Sequence, residues 1–517
     1  MKKQKFNSWF FAFTVSLGGF LYGFDAGIIS GVMNYVTPEF NLNTTQQGWI
    51  PSSPLFSAMF TMLIVGRLSD QYGRKKILIG VAILYVLSAL FSTLSINYHM
   101  LWISRMLGGI AFGAALVIAP IYIAEIATSY NRGRLVALQQ LNIVLGFFAA
   151  FLSNYYLNKA YENEIFQFLT TATVWRWMLA IELAPAVFYL SMLFFVPESP
   201  RWFFAKGQNR KGRDVLNTIH GASKAKKESE IIENAIKSSS EVIKNISFSS
   251  IFNKKFKFIL GVGILIGIIQ QATGINAVYY YATSIFKRTG IGTDASFFSG
   301  VLLSLTTLIF TLVAFVLIDR FGRRPLFLLG LLGITGSMFA CGLGFQNATY
   351  TLRKENLTDL NAEIIDQLKP VMNQSFDSDT KFLDAMEQYI SESSFLTLKG
   401  RLIEESIHIN PYLVLVGILG FVACFAFSLG PVMWVMLSEL FPNRLRGIMI
   451  GFVGFINGFF SWFVTQIFPW EIENLGNTYT FYIYSFIAGL GLLFLYRILP
   501  ETKNKSLEAL ESEFIES

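Results

Sequence analysis

An aspartate, Asp25, interrupts an apolar run in 19-GFLYGFDAGIISG-31, and an arginine, Arg105, interrupts another in 101-LWISRMLGGIAFG-113. An ionised side chain in hydrocarbon is costly unless it is paired or wetted, so each is read as functional by default. With the first run ending near Val36, Asp25 lies roughly 16 Å below that end of its helix, and Arg105 lies about 9 Å deep in its own. A long arginine side chain bridges that difference. Together the two have the chemistry of a protonation-sensitive ion pair, in which the ionised carboxylate holds the guanidinium and the protonated one relaxes its hold. Proximity to arginine lowers a carboxylate pKa and desolvation raises it, and the residue types leave that balance open. A static buried ion pair is the other reading. A second set is the run 270-QQATGINAVYYYA-282, with Gln270, Gln271, Asn276 and Tyr280. Buried amides must find partners. They donate and accept, as the hydroxyls of a polyhydroxylated ligand do, although hydrogen bonding between helices uses the same groups. Gln270 and Asn276 are off-face on an ideal helix, and Gly274 between them permits a break that brings them together. Asn276 and Tyr280, four apart, share a face.

The elements that must hold these residues follow from composition. Of 517 residues, 53% are apolar and only 15% charged, against about 25% charged in soluble domains. Disorder is excluded for the bulk of the chain. Two cysteines, both in apolar runs, exclude a disulfide scaffold, and three histidines with no Cys/His cluster argue against a metal enzyme. A polytopic, all-α membrane protein remains. Twelve runs approach the roughly 20 residues needed to span hydrocarbon: 8–36, 49–69, 76–96, 101–126, 136–157, 175–197, 257–287, 295–318, 325–345, 411–438, 446–468 and 478–499. The first is expected to be a retained span, since it is long, holds Asp25 and is followed by no small-residue cleavage site. Residues 201–257 carry 13 Lys/Arg against 5 Asp/Glu, and residues 346–411 carry 6 against 11. With Lys2, Lys3 and Lys5 at the start, the positive-inside rule places both termini and the 201–256 linker in the cytoplasm and the polar 346–410 segment outside. The net charge of +7 needs no nucleic-acid partner. The linker alternates apolar and charged residues, as in 228-ESEIIENAIKSSSEVIKNI-246, which predicts short amphipathic helices. The 346–410 segment reads as a small, partly helical insertion, with Asn-x-Ser/Thr sites such as Asn347, Asn356 and Asn373 that matter only in a glycosylating host.

The chain repeats itself. Asp70-Gln-Tyr-Gly73-Arg74-Lys75 after span 2 matches Asp319-Arg-Phe-Gly322-Arg323-Arg324 after span 8. Glu125 precedes Arg132-Gly133 as Glu439 precedes Arg446-Gly447, and Pro197-Glu198 matches Pro500-Glu501. The offset between matching motifs jumps between spans 9 and 10 by about the length of the polar segment. This divides the chain into a six-helix half at 1–200, a linker at 201–256, a second half at 257–345 and 411–500 interrupted by the insertion at 346–410, and a tail at 501–517. Asp70, Glu125, Asp319 and Glu439 lie at the same ends of their helices as Arg74, Arg132, Arg323 and Arg446. Such pairs are expected to latch the halves in one conformation and release in another, with plain topological anchoring as the alternative.

These motifs, with 66-GRLSDQYGRKK-76, 197-PESPRWF-203, 319-DRFGRRP-325, 430-GPVMWVMLSELFP-442 and 500-PETK-503 in this order, resemble the sugar porter family of the major facilitator superfamily. The resemblance covers nearly the whole chain except the 346–410 insertion and the two ends. It implies alternating access around a sugar site between two six-helix halves, the logic of parallel repeats with a midplane site. In proton-coupled members the Asp and Arg matching Asp25 and Arg105 form the coupling pair. Gln140 matches a sugar-binding amide, Trp434 after Gly430-Pro431 the aromatic that closes over the sugar, and Asn457 another polar contact. Phe425 and Phe427 either line the same cavity or pack. The chain departs from many relatives at Gly458, Thr307 and Phe147, so no particular sugar transfers.

The expected function is secondary transport of a monosaccharide or polyol, coupled to protons. The alternatives are a facilitative uniporter, since some facilitators of this kind keep an Asp at this position, and a sugar sensor without net transport. No enzyme is expected, because no nucleotide loop, Ser/His/Asp set or metal cluster is visible, and no cofactor is expected. The expected setting is a bacterial inner membrane, multi-pass and monomeric, with sugar, protons and lipid as its partners.

Overall fold

The computed structural model describes residues 2–503 apart from 129–130, 222–224, 227, 235–250, 354–361 and 443–444. Among these, twelve helical segments are long and apolar enough to cross a membrane. They run Ser8–Glu39, Thr44–Tyr72, Arg74–Thr93, Tyr98–Ile126, Arg132–Glu162, Val174–Leu193, Lys257–Lys287, Thr293–Ile318, Arg323–Gln346, Pro411–Leu440, Arg446–Asn474 and Gly476–Ile498, and are numbered spans 1 to 12. Each expected run has its helix. Most helices extend a few residues past the apolar limits, because a span continues into the wet interface. The fold is that of the major facilitator superfamily, two six-helix halves, and the apolar core is one contiguous cluster through both.

Span 1 carries glycines at every fourth position, Gly19, Gly23, Gly27 and Gly31, on one stripe. A Cβ at these places would strike Gln139, Ile143, Phe147, Ala150 or Asn154 of span 5. Without side chains there, the two helices approach along their length, as small residues permit between membrane helices. Span 4 meets span 2 in the same way, Gly109 against Pro54 and Ser57, and Gly113 against Ala58. These close pairs fix the rotation of spans 1 and 4, and hence where Asp25 and Arg105 point.

Three spans are broken. Span 7 stops at Ala272 and restarts at Ile275, across Gly274 at φ +91°, a left-handed conformation that glycine adopts at no steric cost. The expected break is thus in place. Span 10 breaks at Ser428, between helices Pro411–Phe427 and Leu429–Leu440. The break falls just before Gly430-Pro431. A proline has no N–H for the carbonyl four residues back and its ring clashes there, so the helix is interrupted on its N-terminal side while Pro431 itself sits in the first turn of the next helix. Span 6 is interrupted at Glu182, between Val174–Ile181 and Leu183–Leu193, which the apolar run did not announce.

The linker holds helices Pro200–Ala205 and Asn209–His220 and a helical stretch at 228–234, joined by a small core of Phe204, Leu216, Ala225 and Ile232. The rest of the amphipathic run 228–246 lies outside the described residues. The insertion is not merely helical. It contains a three-stranded antiparallel sheet, order β2-β1-β3, of β1 Thr349–Thr351, β2 Ser375–Phe376 and β3 Ile407–His408. With helices Asp379–Glu387 and Glu392–Ser406 it closes a separate core around Tyr350, Phe382, Met386 and Leu402. Strands of two or three residues are too short to leave an alternation in the sequence, which is why only the helical part of the segment was expected.

All side-chain hydrogen bonds between the halves, among the described residues, lie toward the insertion side. Asn34 Nδ2 donates to Thr283 Oγ1 at 2.8 Å and Ser284 Oγ donates to Asn34 at 3.2 Å. Tyr281 donates to the Gln47 carbonyl at 3.1 Å, Ser52 to Gln466 at 2.7 Å, and Gln466 to the Thr45 carbonyl at 3.0 Å. The halves are therefore sealed on the insertion side, and no such bond joins them on the side of the basic turns.

Candidate functional site

Asp25 and Arg105 meet. Arg105 Nη1 donates to Asp25 Oδ1 at 2.9 Å and Nη2 to Oδ2 at 3.1 Å, with a third, longer bond from Nη2 to the Asp25 carbonyl at 3.4 Å. This is a bidentate pairing, the geometry in which guanidinium and carboxylate interact most strongly. Arg105 is 1% exposed and Asp25 4%. Arg105 Nε has no partner among the described residues. Gly108, one turn beyond Arg105, lets Ser88 of span 3 pack close to the pair, since a Cβ there would meet Ser88 Oγ at 2.7 Å.

A third ionisable group belongs here. Glu182, at the interruption of span 6, is 3% exposed and lies in electrostatic reach of both Asp25 and Arg105. Glu182 thus brings a second buried carboxylate within electrostatic reach of the one guanidinium. Glu182 was not singled out in the sequence, although 178-MLAIELAPAV-187 carries the same signal as Asp25, a lone acid inside an apolar run.

In the second half the break at Gly274 folds the amides of span 7 onto span 11. Gln270 Nε2 donates to the Leu429 carbonyl at 3.0 Å, meeting a backbone group near the broken start of the second helix of span 10. Asn457 Nδ2 donates to Gln270 Oε1 at 2.8 Å and to the Gly267 carbonyl at 2.8 Å. Asn276 Nδ2 donates to Gln271 Oε1 at 3.0 Å and to Ser461 Oγ at 2.5 Å, and Gln271 Nε2 reaches Gln270 Oε1 at 3.2 Å. Gln270, Gln271, Asn276 and Asn457 therefore form one network. Ser461 completes it and was missed, because a lone serine in an apolar run is usually satisfied by its own helix.

Tyr280 is buried and stands apart from that network. It lies in electrostatic range of Tyr22, Asp25 and Arg105 of the other half. Gln140 and Trp434 are exposed. Trp434 lies beside Gly454 of span 11. Two of the three departures meet at Tyr279, where the Phe147 ring rests with centroids 4.7 Å apart and Thr307 Oγ1 reaches the hydroxyl at 3.4 Å, while Gly458 lies against Met59 of span 2. Phe427 packs on Phe310 of span 8, with centroids 6.4 Å apart.

At the basic turns, Arg74 binds Asp70 at 2.8 Å and Glu125 at 3.1 Å, and Arg323 binds Glu439 at 3.0 Å. Each of these pairs lies within one half. The expected latch between halves is not made by these pairs, and among the described residues no side-chain hydrogen bond joins the halves on this side. Arg132 is exposed, Arg446 Nε donates to the Phe441 carbonyl at 3.2 Å, and the Asp319 side chain lies outside the described residues. The structure adds what the Pro-Glu motifs do. Glu198 accepts from the backbone N–H of Arg74 at 2.9 Å and of Lys75 at 3.2 Å, and Glu501 accepts from those of Arg323 at 3.1 Å and Arg324 at 3.2 Å. Each carboxylate thus caps, from the end of its own half, the orphan N–H groups that begin span 3 or span 9. Burial raises the Glu198 pKa, opposed by these backbone bonds and by the Arg74 charge.

A model of the family described as "Sugar (and other) transporter" matches residues 11–361 and 393–514, so the unmatched stretch lies inside the insertion. The chain is 33% identical to the arabinose-proton symporter of Bacillus subtilis, over 96% of this chain and 93% of that one. It is 30% identical to the galactose-proton symporter of Escherichia coli, over 99% and 95%. Among solved structures it is similar to the inward-open conformation of the xylose transporter XylE from E. coli, with a TM-score of 0.73, 26% identity, and coverage of 97% and 98%.

Proposed function

The chain belongs to the sugar (and other) transporter family, a multi-pass membrane transporter of the major facilitator fold, and on that premise we propose that it carries a monosaccharide or polyol across the membrane by proton symport. The observation that carries proton coupling is the bidentate Asp25–Arg105 pair, buried in the first half beside a second acid. With Asp25 ionised the pair ties span 1 to span 4. Protonation neutralises one partner, weakens the tie, and biases the equilibrium between two arrangements of the halves. Sugar binds in the gap between halves. The amides Gln270, Gln271, Asn276 and Asn457 offer donors and acceptors to its hydroxyls, Gln140 approaches from the first half, Tyr280 lies between network and ion pair, and Trp434 covers the apolar face of the ring.

The pairs of Arg74 with Glu125 and of Arg323 with Glu439 act as stiffeners of each half in this state. When that side closes, Arg132, Arg446 and Asp70 at the same turns join the halves, Asp70 leaving Arg74 to do so, and Asp319, which matches Asp70 in the repeat, is assigned the same role. The insertion side is the outer side and the basic turns and both termini are cytoplasmic, as the loop charges dictate, so this conformation is the inward-facing one. The bacterial plasma membrane is its setting and the monomer its working unit.

The test is labelled-sugar uptake by proteoliposomes under an inward proton gradient, for arabinose, xylose, glucose, galactose and inositol. Accumulation above equilibrium, abolished by a protonophore, is expected. Asp25→Asn is expected to lose accumulation and retain exchange at equilibrium. Saturable uptake that stops at equilibrium in the wild type would make the protein a uniporter and the ion pair a structural one.

A further inference from the structure

Above the sealed gate is a cavity of about 280 Å³ bounded by spans 1, 2, 7 and 11 and roofed by the insertion. Its floor is the gate itself, where Asn34, Gln47, Tyr281 and Ser284 meet. Its walls carry four cations, Lys287, Arg288, Lys399 and Arg401, against one lining carboxylate, Glu473. The site of sugar transport, built from the spans 7 and 11 amides, is not part of it.

Two of these cations are seen paired with acids. Lys399 pairs with Glu473 at 2.9 Å, and Lys287 pairs with Glu404 of the insertion at 3.3 Å. Arg288 is different. The nearest acids felt by its guanidinium are Asp379 and Glu473. Asp379 is spent on anchoring the insertion, its Oδ2 accepting from Asn477 Nδ2 at 2.6 Å and its Oδ1 from the Thr380 N–H at 3.0 Å, and Glu473 is held by Lys399. Arg288 is half-buried and its guanidinium donates to no described residue, so a planar fork of N–H donors is held in a concave, partly desolvated space. Such a fork matches the two oxygens of a carboxylate or phosphate, and the volume is near the lower limit, roughly 300 Å³, of small-molecule sites.

We propose that this cavity is a binding site for a small oxyanion, a carboxylate- or phosphate-bearing solute of monosaccharide size or less, held by Arg288 with support from Lys399 and Arg401 and separate from the transport site. The insertion supplies two of those three cations, which gives it a role beyond filling a loop.

The experiment is isothermal titration of the full-length purified protein with two probes, D-glucuronate and inorganic phosphate, at ionic strength matched with sodium chloride. Saturable binding of at least one probe is expected. Comparable binding of both identifies a simple oxyanion site, and glucuronate binding tenfold or more tighter identifies a sugar acid. Arg288→Gln is expected to weaken binding at least tenfold. Arg288→Lys, which keeps the charge and the stem but loses the fork, is expected to weaken it by less. Gln270→Ala, which alters the transport site, is expected to bind both probes as the wild type does. The proposal is overturned if neither probe binds the wild type, if Arg288→Gln binds as well as the wild type, or if Gln270→Ala abolishes binding while Arg288→Lys does not weaken it.

Discussion

The ion pair of Asp25 and Arg105 is asymmetric in what its removal costs. Asparagine at position 25 keeps the shape and a carbonyl acceptor for the guanidinium. Methionine at position 105 leaves Asp25 and Glu182 buried with no cation between them. Breaking a buried pair in this way costs about 3–5 kcal/mol, so Arg105→Met is expected to lower the unfolding midpoint in detergent far more than Asp25→Asn. The double variant should recover part of the loss, and a midpoint for Arg105→Met equal to that of Asp25→Asn would show that Arg105 does not neutralise the site. This pair was legible in the sequence because a charge in an apolar run has few structural excuses. So were the amides of span 7. Their partners were less so: Ser461 hides among apolar neighbours that accept a serine readily, and Glu182, a lone acid in an apolar run like Asp25, was passed over. Which residue meets which depends on helix rotation, and the sequence expresses that only indirectly, through stripes such as Gly19 to Gly31.

At the scale of elements, the broken helices present the site. Gly274 stands at φ +91° and against the Tyr484 ring. Alanine there meets a left-handed penalty of about 1–2 kcal/mol as well as contact with that ring, so Gly274→Ala should straighten or destabilise span 7. Raised KM together with a lower unfolding midpoint is the expected result, and an unchanged KM would detach the break from sugar binding. The caps at the start of spans 3 and 9 yield a pH test. Burial raises the folded-state pKa of Glu198 above its ordinary value. The folded protein then holds that proton more tightly than the unfolded chain does, so the Glu198 contribution to stability is greatest below the unfolded pKa of about 4.3 and declines as pH rises through the folded value. Glutamine does not titrate. The unfolding midpoint of wild type minus that of Glu198→Gln should therefore fall between about pH 4 and pH 7, and a difference that grows over that range would contradict the assignment. The Pro-Glu repeat was visible in the sequence, but its purpose was not, since a cap supplied from more than a hundred residues away leaves no local pattern.

At the scale of the whole molecule, alternation between two states requires the seal on the insertion side to open. Asn34 and Ser284 face each other across it at 3.2 Å. Cysteines at both positions are expected to cross-link under mild oxidant and to stop transport, with reductant restoring it, as measured by counterflow in proteoliposomes. Cross-linking without loss of transport would mean that the halves do not separate there. The two-half architecture was readable from the matched motifs, and the length of the insertion from the jump in their offset. The fold of the insertion was not, because its sheet is made of very short strands whose pairing, Thr349 with His408 and Tyr350 with Ile407, spans the whole segment. That pairing has a consequence for how the protein came to be. The chain leaves the bundle and returns to it through adjacent strands about 4.8 Å apart, so to spans 9 and 10 the entire segment is equivalent to a tight hairpin. A junction of that kind is a socket: a module of any size whose ends lie side by side can be spliced in or out as a unit, leaving the transport machinery below unaltered while the outer face acquires new chemistry.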